Sequence, residues 1–381
     1  MNLELTEEQE MVRNSVREFA ENEIAPLARE YDEEEKFPRK QLEGLAELGL
    51  LGMIIPEEYG GTGFDSVSYS IALEEIARAD ASVAVIVGVT NSVCCYPILS
   101  FGTEDQKQQF LVPLAKGDEL GAFCLSEPHA GSDATNLKTS AVKDGADYII
   151  NGTKSWVTNG GEAQTHIVMA VTGDSGGKKE VTAFIVEEDR DGLSVSSVEH
   201  KLGQRASKTT ELSFEDVRIP EENVLGGIGN GMKVAFNSLD NGRIGIGSLA
   251  VGIAQAAFDE AKEYSKDRVA FGRPIAEHQA IQFKLADMAT EIEAARLLTL
   301  QAASMKDSDH KKTGVYASMA KLYASEMANT VCADAIQIHG GNGYSRHYNV
   351  EKYYRDARIT TIYEGTSEIQ KIVIARGILK N

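Results

Sequence analysis

One short segment near the C-terminus combines a lone carboxylate with the start of a helix. Residues 362–370 read IYEGTSEIQ, and Glu364 stands between a tyrosine and Gly365, whose backbone can turn freely. Ser367 and Gln370 match a capping box and predict that a helix begins just after Glu364. A carboxylate in an apolar loop is poorly solvated, so its pKa rises and it becomes a stronger base. An ordinary loop glutamate in front of a helix fits the same sequence.

Two further segments carry groups that could hold a planar ligand. Residues 124–133, CLSEPHAGSD, leave a predicted strand through a Pro–Gly turn that carries two hydroxyls and two carboxylates. Exposed N–H groups and hydroxyls of such a turn can bind the polar edge of a heterocycle, although a decorated hairpin turn has the same composition. Trp156, the single tryptophan, lies in the predicted strand Ser155–Thr158, where core packing is its commonest role.

Three other motifs offer charged groups or close backbone approach. Arg268–Pro274, RVAFGRP, with Gln279 nearby, supplies an arginine that suits phosphate binding or is an ordinary surface residue at a helix end. The paired glycines of Gln337–Gly341, QIHGG, permit close backbone approach. Asp240–Arg243, DNGR, is a helical charge pair when taken alone.

The composition is that of a folded, acidic protein. The chain of 381 residues carries a formal net charge of −20, which disfavours a nucleic-acid backbone or an anionic membrane surface as partner. Its four cysteines form no CxxC pair and its seven histidines are scattered, so we expect reduced thiols, a cytoplasmic location and no metal site. We find no run of about 18 apolar residues and no apolar core in the N-terminal MNLELTEEQE, and we expect neither a membrane span nor a signal peptide.

The hydrophobic period divides the chain into three parts. Residues 1–120 have a helical period with Thr6 and Thr103 as helix caps, residues 121–228 a strand-like period, and residues 229–381 a helical period again. We therefore predict an α+β multidomain chain: an N-terminal all-α domain, a middle antiparallel β-barrel or β-sandwich domain and a C-terminal α-helical bundle. Asn151–Gly152 is predicted as a turn between two strands.

The order of these motifs resembles the acyl-CoA dehydrogenase family. CLSEPHAGSD is similar to the first family signature, YEGTSE to the catalytic-base segment, and QIHGG opens the second signature, while WVT, RVAFGRP and DNGR match further family segments. The resemblance covers nearly the whole chain. It implies the three-part fold and FAD-dependent α,β-dehydrogenation of an acyl-CoA thioester.

The resemblance also implies roles for individual residues. Glu364 would be the catalytic base, and the acyl-CoA would be bound by Ser132, Asp240, Arg243, Glu364 and Gly365. The residues that would bind FAD, some of them reaching the cofactor of a neighbouring subunit, are Phe123, Leu125, Ser126, Gly131, Ser132, Trp156, Val157, Thr158, Arg268, Phe271, Gln279, Gln337, Ile338, Gly340, Gly341, Thr366 and Glu368.

The family further implies a mechanism, partners and a substrate type. The α-proton would pass to Glu364 and the β-hydride to flavin N5, and the electrons would continue to an electron-transfer flavoprotein. Branched-chain and some long-chain relatives carry their base at position 242, so Gly242 together with Glu364 matches the straight-chain short- and medium-chain enzymes. A homotetramer with composite FAD sites is usual.

Two alternatives remain open at this point. An acyl-CoA oxidase would pass the electrons to oxygen instead. A non-catalytic flavoprotein of the same fold would act as a binding module, but Glu364 and the net charge of −20 speak against it. The sequence leaves the acyl chain length open.

Overall fold

Helices form the first part of the chain. The computed structural model describes residues 4–379, so the first three residues of the acidic N-terminal stretch lie outside the described part. The predicted all-α region is confirmed and consists of α1 (Glu7–Phe19), α2 (Ala25–Glu34), α3 (Arg39–Glu47), α4 (Ser66–Ala79), α5 (Ala81–Val89), α6 (Tyr96–Phe101), α7 (Glu104–Gln106) and α8 (Val112–Lys116). Turns of π-helix join α1 to α2, α5 to α6 and α7 to α8 at Ala20–Ile24, Thr90–Cys95 and Lys107–Leu111.

Both predicted helix caps in this region are confirmed. The hydroxyl of Thr6 accepts from the Gln9 N–H at 3.2 Å, and the Thr6 N–H donates to Gln9 Oε1 at 3.0 Å. Thr103 and Gln106 repeat the arrangement at 3.2 Å and 3.0 Å. Each box satisfies N–H groups that a helix start otherwise leaves unpaired.

The first part of the chain contains one long helical segment that is largely apolar. The helical segment Ala81–Phe101 is long and apolar enough to cross a membrane by length and composition, with a mean hydropathy of 1.8 in its most apolar window. In the folded protein 83% of that window is buried. Buried polar groups interrupt the run in sequence, and one of them, Asn91, donates to the Leu50 carbonyl at 3.0 Å. The segment therefore fits a core helix.

The middle part is an eight-stranded sheet. Its strands are β1 (Gly121–Cys124), β2 (Ser140–Asp144), β3 (Asp147–Thr158), β4 (Thr165–Ser175), β5 (Lys178–Glu187), β6 (Leu193–Val198), β7 (Thr209–Pro220) and β8 (Val224–Leu225). They lie in the order β6-β7-β3-β2-β4-β5-β8, and β1 pairs with β4. The predicted β domain is confirmed, but the sheet is not purely antiparallel, because β1 and β2 both run parallel to β4.

The predicted turn at Asn151–Gly152 is wrong. Both residues lie inside β3, where the pairing with β7 shifts register between Ile150 and Gly152. A Cβ added to Gly152 would lie 2.7 Å from the Cα of Thr139. The glycine therefore permits close approach of two backbones at a bulge, which is the other common use of a glycine in a strand.

The last part of the chain is helical again, as predicted. It comprises α9 (Gly231–Asp267), the hairpin β9 (Val269–Ala270) and β10 (Arg273–Pro274), α10 (Gln279–Asp307), α11 (Thr313–His339), α12 (Val350–Arg358) and α13 (Ser367–Leu379). The long α9 packs against α4, α10 and α11. A Cβ added to Gly252 of α9 would lie 2.8 Å from the Cβ of Ala77 on α4, so small residues set the close spacing of these two helices.

A buried ion cluster ties the three parts together just before the Glu364 segment. Lys352 of α12 donates to Asp356 at 2.7 Å and to Asp80, the N-cap of α5, at 3.1 Å. Asp356 also accepts from the backbone N–H of Gln204 in the middle part. Because an unpaired buried charge is costly, these contacts fix α12 and the segment that follows it.

Candidate active site

Glu364 lies in a tight turn that leads into α13. Its φ angle is 52° and that of Gly365 is 93°, so two consecutive residues occupy the left-handed region. This conformation is uncommon for a residue with a side chain and persists only where surrounding contacts hold it. The turn aims the carboxylate into the protein, where Oε2 is buried without a hydrogen-bond partner among the described residues.

The predicted capping box at Ser367 is wrong by one residue. The hydroxyl of Thr366 accepts from the Ile369 N–H at 3.4 Å, whereas the Ser367 hydroxyl donates to Glu326 of α11 at 2.5 Å. The Gln370 side chain reaches back past the cap to the carbonyls of Glu364, at 3.1 Å, and Gly365, at 2.9 Å. Ser367 and Gln370 therefore stabilise the turn that carries Glu364, although they do not form the predicted capping box.

Burial makes Glu364 a stronger base than an exposed glutamate. Burial raises the pKa of Glu364 to about 7, while the positive charges of Lys321 and Arg243 act in the opposite direction. Arg243 of α9 is itself buried and donates to Asp240 Oδ1 at 2.7 Å. The expected high pKa is therefore present, and its cause is the predicted one.

The carboxylate forms one wall of a narrow apolar cavity between α4, α5 and α9. The space between these helices that protein atoms do not fill is about 200 Å³, and this value includes space open to solvent. Its lining is apolar apart from Glu364 and a few hydroxyls, and it consists of Tyr69, Leu73, Ala84, Val85, Gly88, Val89, Ser92, Gly242, Gly245, Ile246, Leu249 and Glu364. A short hydrocarbon chain beside a base is what such a cavity can accept.

Gly242 makes room for the carboxylate. A Cβ added to this residue of α9 would overlap Oε2 of Glu364 and would lie 2.7 Å from its carboxyl carbon. One turn further along the helix, a Cβ on Gly245 would lie 2.7 Å from the hydroxyl of Tyr69. Two glycines on one helix face therefore keep this end of the cavity open.

The middle part presents Trp156 to solvent. The residue is 60% exposed and has a φ of 59°, beside the second register shift of β3, between Lys154 and Val157. The bulge turns the indole outward while Val157, 1% exposed, packs in the core. Core packing is thus wrong for Trp156, and the exposed indole is free to contact a planar ligand.

A buried ion pair holds the signature turn beside Trp156. Lys154 donates to Glu127 at 2.7 Å and to the Leu125 carbonyl at 3.1 Å. Glu127 accepts two backbone N–H groups, from Lys138 at 2.7 Å and from Thr139 at 3.0 Å. Glu127 is one of the two carboxylates of the signature turn, whereas Lys154 was not predicted as a site residue, although a lysine among strand residues is a detectable signal.

The predicted cofactor residues of this region share one neighbourhood. The Ser126 carbonyl accepts from the Ser155 N–H at 2.9 Å, which brings the signature turn against the strand that carries Trp156 and Thr158. Gly131 and Ser132 are exposed on the turn, Phe123 and Thr158 are half-buried, and Leu125 is buried. Backbone atoms are therefore what Leu125 and Val157 can offer a ligand.

The remaining predicted cofactor residues lie on the surface of the helical part. Arg268, Phe271 and Gln279 flank the β9–β10 hairpin and are exposed, Phe271 to 96%. Gln337, Gly340 and Gly341 are exposed at the end of α11, whereas the side chain of Ile338 is buried in the core. Glu368 is exposed in the first turn of α13, where Thr366 is the cap.

The two exposed segments are neighbours in space. The Tyr264 hydroxyl, near the end of α9, donates to the His339 carbonyl at 3.3 Å and accepts from Asn342 at 2.9 Å. Tyr264 also stacks on the His339 ring with centroids 4.1 Å apart.

Among residues 4–379, no group of three or more His, Cys, Asp or Glu side chains could hold a metal ion.

The fold and this site define a known class of oxidoreductase. Models of the acyl-CoA dehydrogenase N-terminal, middle and C-terminal domains match residues 6–118, 122–217 and 229–379. The chain therefore belongs to the acyl-CoA dehydrogenase family, as its motifs predict, and it is an enzyme of that family.

Individual relatives are similar over the whole chain. The mitochondrial short-chain specific acyl-CoA dehydrogenase of Mus musculus is 52% identical over 379 residues, which cover 100% of this chain and 92% of the relative. The structure of butyryl-CoA dehydrogenase from Megasphaera elsdenii has a TM-score of 0.98 at 45% identity and full coverage of both chains. Acyl-CoA dehydrogenase complexed with FAD from Bacillus anthracis has a TM-score of 0.92 at 36% identity, covering 99% of this chain and 68% of that one.

Proposed function

We propose that this protein is an FAD-dependent dehydrogenase that converts a short straight-chain acyl-CoA, such as butyryl-CoA, to the trans-2-enoyl-CoA. The observation that carries the proposal is the buried Oε2 of Glu364, which has no partner among the described residues and faces an apolar cavity. The names of the two similar dehydrogenases, short-chain specific and butyryl-CoA, support the substrate type. Anaerobic addition of butyryl-CoA to the FAD-loaded protein should bleach the flavin absorbance, and an unchanged spectrum would refute the proposal.

The residues of the middle part fit FAD. Trp156 offers a large exposed aromatic face in a strained backbone conformation, and the signature turn beside it exposes Gly131 and Ser132. The hairpin with Arg268 and Phe271 would serve the cofactor of a neighbouring subunit. When bound, FAD would supply the acceptor for a hydride, which carries the two electrons of the oxidation.

The chain itself supplies proton transfer and water exclusion. We propose that Glu364 takes the α-proton of the thioester as the α-C–H bond breaks. The α,β-double bond forms when the β-hydrogen also leaves with its electron pair, for which bound FAD would be the acceptor. The backbone N–H of Glu364 would donate to the thioester oxygen and stabilise its developing charge. Asp240 and Arg243, also proposed to contact the acyl-CoA with Ser132 and Gly365, lie on α9 beside the base. The apolar cavity would keep water away from the reacting carbons.

The activity should fall as the pH falls through about 7. Burial raises the pKa of Glu364 to about 7 from an ordinary value of 4.5, and only the ionised carboxylate accepts a proton. We expect the acidic limb of kcat/KM for butyryl-CoA, which reports the free enzyme, to have its midpoint near this value. A limb close to 4.5 would contradict the environment described for the base.

Short acyl chains should react faster than long ones. The apolar walls of the cavity, Tyr69 and Leu73 of α4 among them, leave little free space beside Glu364. A methylene that does not fit typically costs about 10- to 200-fold in kcat/KM. A series from butyryl-CoA to palmitoyl-CoA should therefore peak at butyryl-CoA or hexanoyl-CoA. A peak at octanoyl-CoA or beyond would show that the cavity opens further than the structure indicates.

The acceptor and the assembly follow from the family resemblance. We propose an electron-transfer flavoprotein as acceptor; peroxide formation during turnover would instead indicate an oxidase.

We also propose a homotetramer, because large side chains of the helical part are exposed, among them Phe271 at 96%, Tyr344 at 91% and Phe283 at 60%. Native mass measurement gives the subunit number. The cytoplasmic location stays a prediction.

A further inference from the structure

A buried lysine stands behind the turn that carries the base. Lys321 of α11 is 0% exposed, and its ammonium group donates to the Gly365 carbonyl at 2.8 Å. Lysine is rarely buried to this extent unless its charge has a use or a partner. No carboxylate lies within salt-bridge distance of Lys321 in the described part of the chain, so its direct contact is a neutral carbonyl.

The turn already has an uncharged anchor. Gln370 donates to the same Gly365 carbonyl at 2.9 Å and to the Glu364 carbonyl at 3.1 Å. A second neutral donor would satisfy the backbone as well as Lys321 does. What Lys321 adds is a positive charge in a water-poor place, next to a carboxylate that must be ionised to act as a base.

We propose that Lys321 is a positioning residue for the reaction: its ammonium group anchors the Glu364–Gly365 turn and stabilises the ionised form of the Glu364 carboxylate. The inference rests on the proposed function, in which Glu364 is the base. The charge of Lys321, and not only its hydrogen bond, then contributes to catalysis.

The other ionisable groups around Glu364 are less suited than Lys321 to stabilise the ionised carboxylate. Arg243 of α9 is the second nearby cation, but it is paired with Asp240 at 2.7 Å, so its charge is partly neutralised. The phenols of Tyr69 on α4 and Tyr363 beside the base are neutral at ordinary pH, because burial raises the pKa of both. Glu326 and Glu368 act mainly on the lysine.

Burial and the partner's charge act in opposite directions on both Lys321 and Glu364. Burial lowers the pKa of Lys321 to about 8, and Glu364 acts in the opposite direction. Burial raises the pKa of Glu364 to about 7, and Lys321 opposes that rise. Each partner therefore favours the charged form of the other near neutral pH.

Two substitutions separate the charge from the hydrogen bond. Lys321→Gln removes the charge but keeps a donor, and Lys321→Met removes both. The matched control is Gln370→Met, which removes the neutral anchor from the same carbonyl. Melting temperature and flavin content establish that each variant is folded and loaded, and the glutamine variant serves if the methionine variant does not fold.

The readouts are the pH profile of anaerobic flavin reduction and the infrared band of the protonated Glu364 carboxyl, assigned by its loss in Glu364→Gln. We expect both midpoints to rise by about one pH unit in the two Lys321 variants, a loss of about tenfold in rate below the midpoint. The rate should recover at alkaline pH. In Gln370→Met the rate should fall at every pH with an unchanged midpoint.

An unchanged midpoint in both Lys321 variants would overturn the inference, whether the rate falls at every pH or does not fall at all. A different result would contradict the proposed function. If Glu364→Gln bleaches like the parent enzyme, Glu364 is not the base. The infrared titration would still show whether Lys321 controls the ionisation of that carboxyl.

Discussion

Glu364→Gln is expected to bind FAD and to fold like the parent enzyme, yet to lose nearly all anaerobic bleaching by butyryl-CoA. The glutamine has the same shape but cannot accept the α-proton, and a positioned base contributes about 10²- to 10⁴-fold. Oε2 of Glu364 has no hydrogen-bond partner among the described residues, so its neutral replacement breaks no hydrogen bond to that atom. Stopped-flow measurement of flavin reduction gives the rate, and flavin absorbance before mixing gives the cofactor content.

Two controls define what this loss means. Glu47→Gln changes an exposed carboxylate at the end of α3 and should leave the rate unchanged. Glu364→Asp keeps the base but draws it back by one methylene, so its rate should fall between those of the parent and the glutamine variant. Parent-like bleaching by Glu364→Gln would remove this residue from the mechanism.

Gly242→Ala should be the next most damaging single change. The new methyl group would lie 2.7 Å from the carboxyl carbon of Glu364, closer than real Cβ contacts come, so the base must move. A displacement of about 1 Å at a reacting group can cost about 10²-fold in rate. Alanine is the better helix former by about 1 kcal/mol, which opposes the cost of the overlap in the stability of α9. The melting temperature should therefore change little, whereas the rate of flavin reduction should fall by about 10²-fold.

The matched control lies on the same helix. A Cβ added to Gly247 would meet Thr299 Oγ1 at 3.2 Å, a tight contact with a side chain that is not a wall of the cavity. Gly247→Ala should consequently keep most of the activity. The double variant Gly242→Ala with Glu364→Gln should be no slower than Glu364→Gln alone, because the methyl group acts through the base. Independent, multiplying losses would show that Gly242 matters for another reason.

Much of the local structure was predictable because it depends on neighbours in sequence. The capping boxes at Thr6 and Thr103 need only a hydroxyl and a glutamine one turn apart. The same rule failed at Ser367 because Glu326, on another helix, binds its hydroxyl. Asn151–Gly152 likewise has the composition of a turn, but the close approach of Thr139 makes it a bulge.

Three conclusions could be drawn without the structure: the family, the succession of helices, strands and helices, and the choice of Glu364 over position 242 as candidate base. The order of the motifs identifies the family and the candidate base, and the hydrophobic periodicity of short segments identifies the helices and strands. Three other features became evident only in the folded chain: Trp156 faces outward, Gly242 leaves room for the carboxylate, and Lys321 lies behind the turn. Burial and charge depend on segments far apart in the chain, and an ionisable group acquires its pKa only when those segments pack around it.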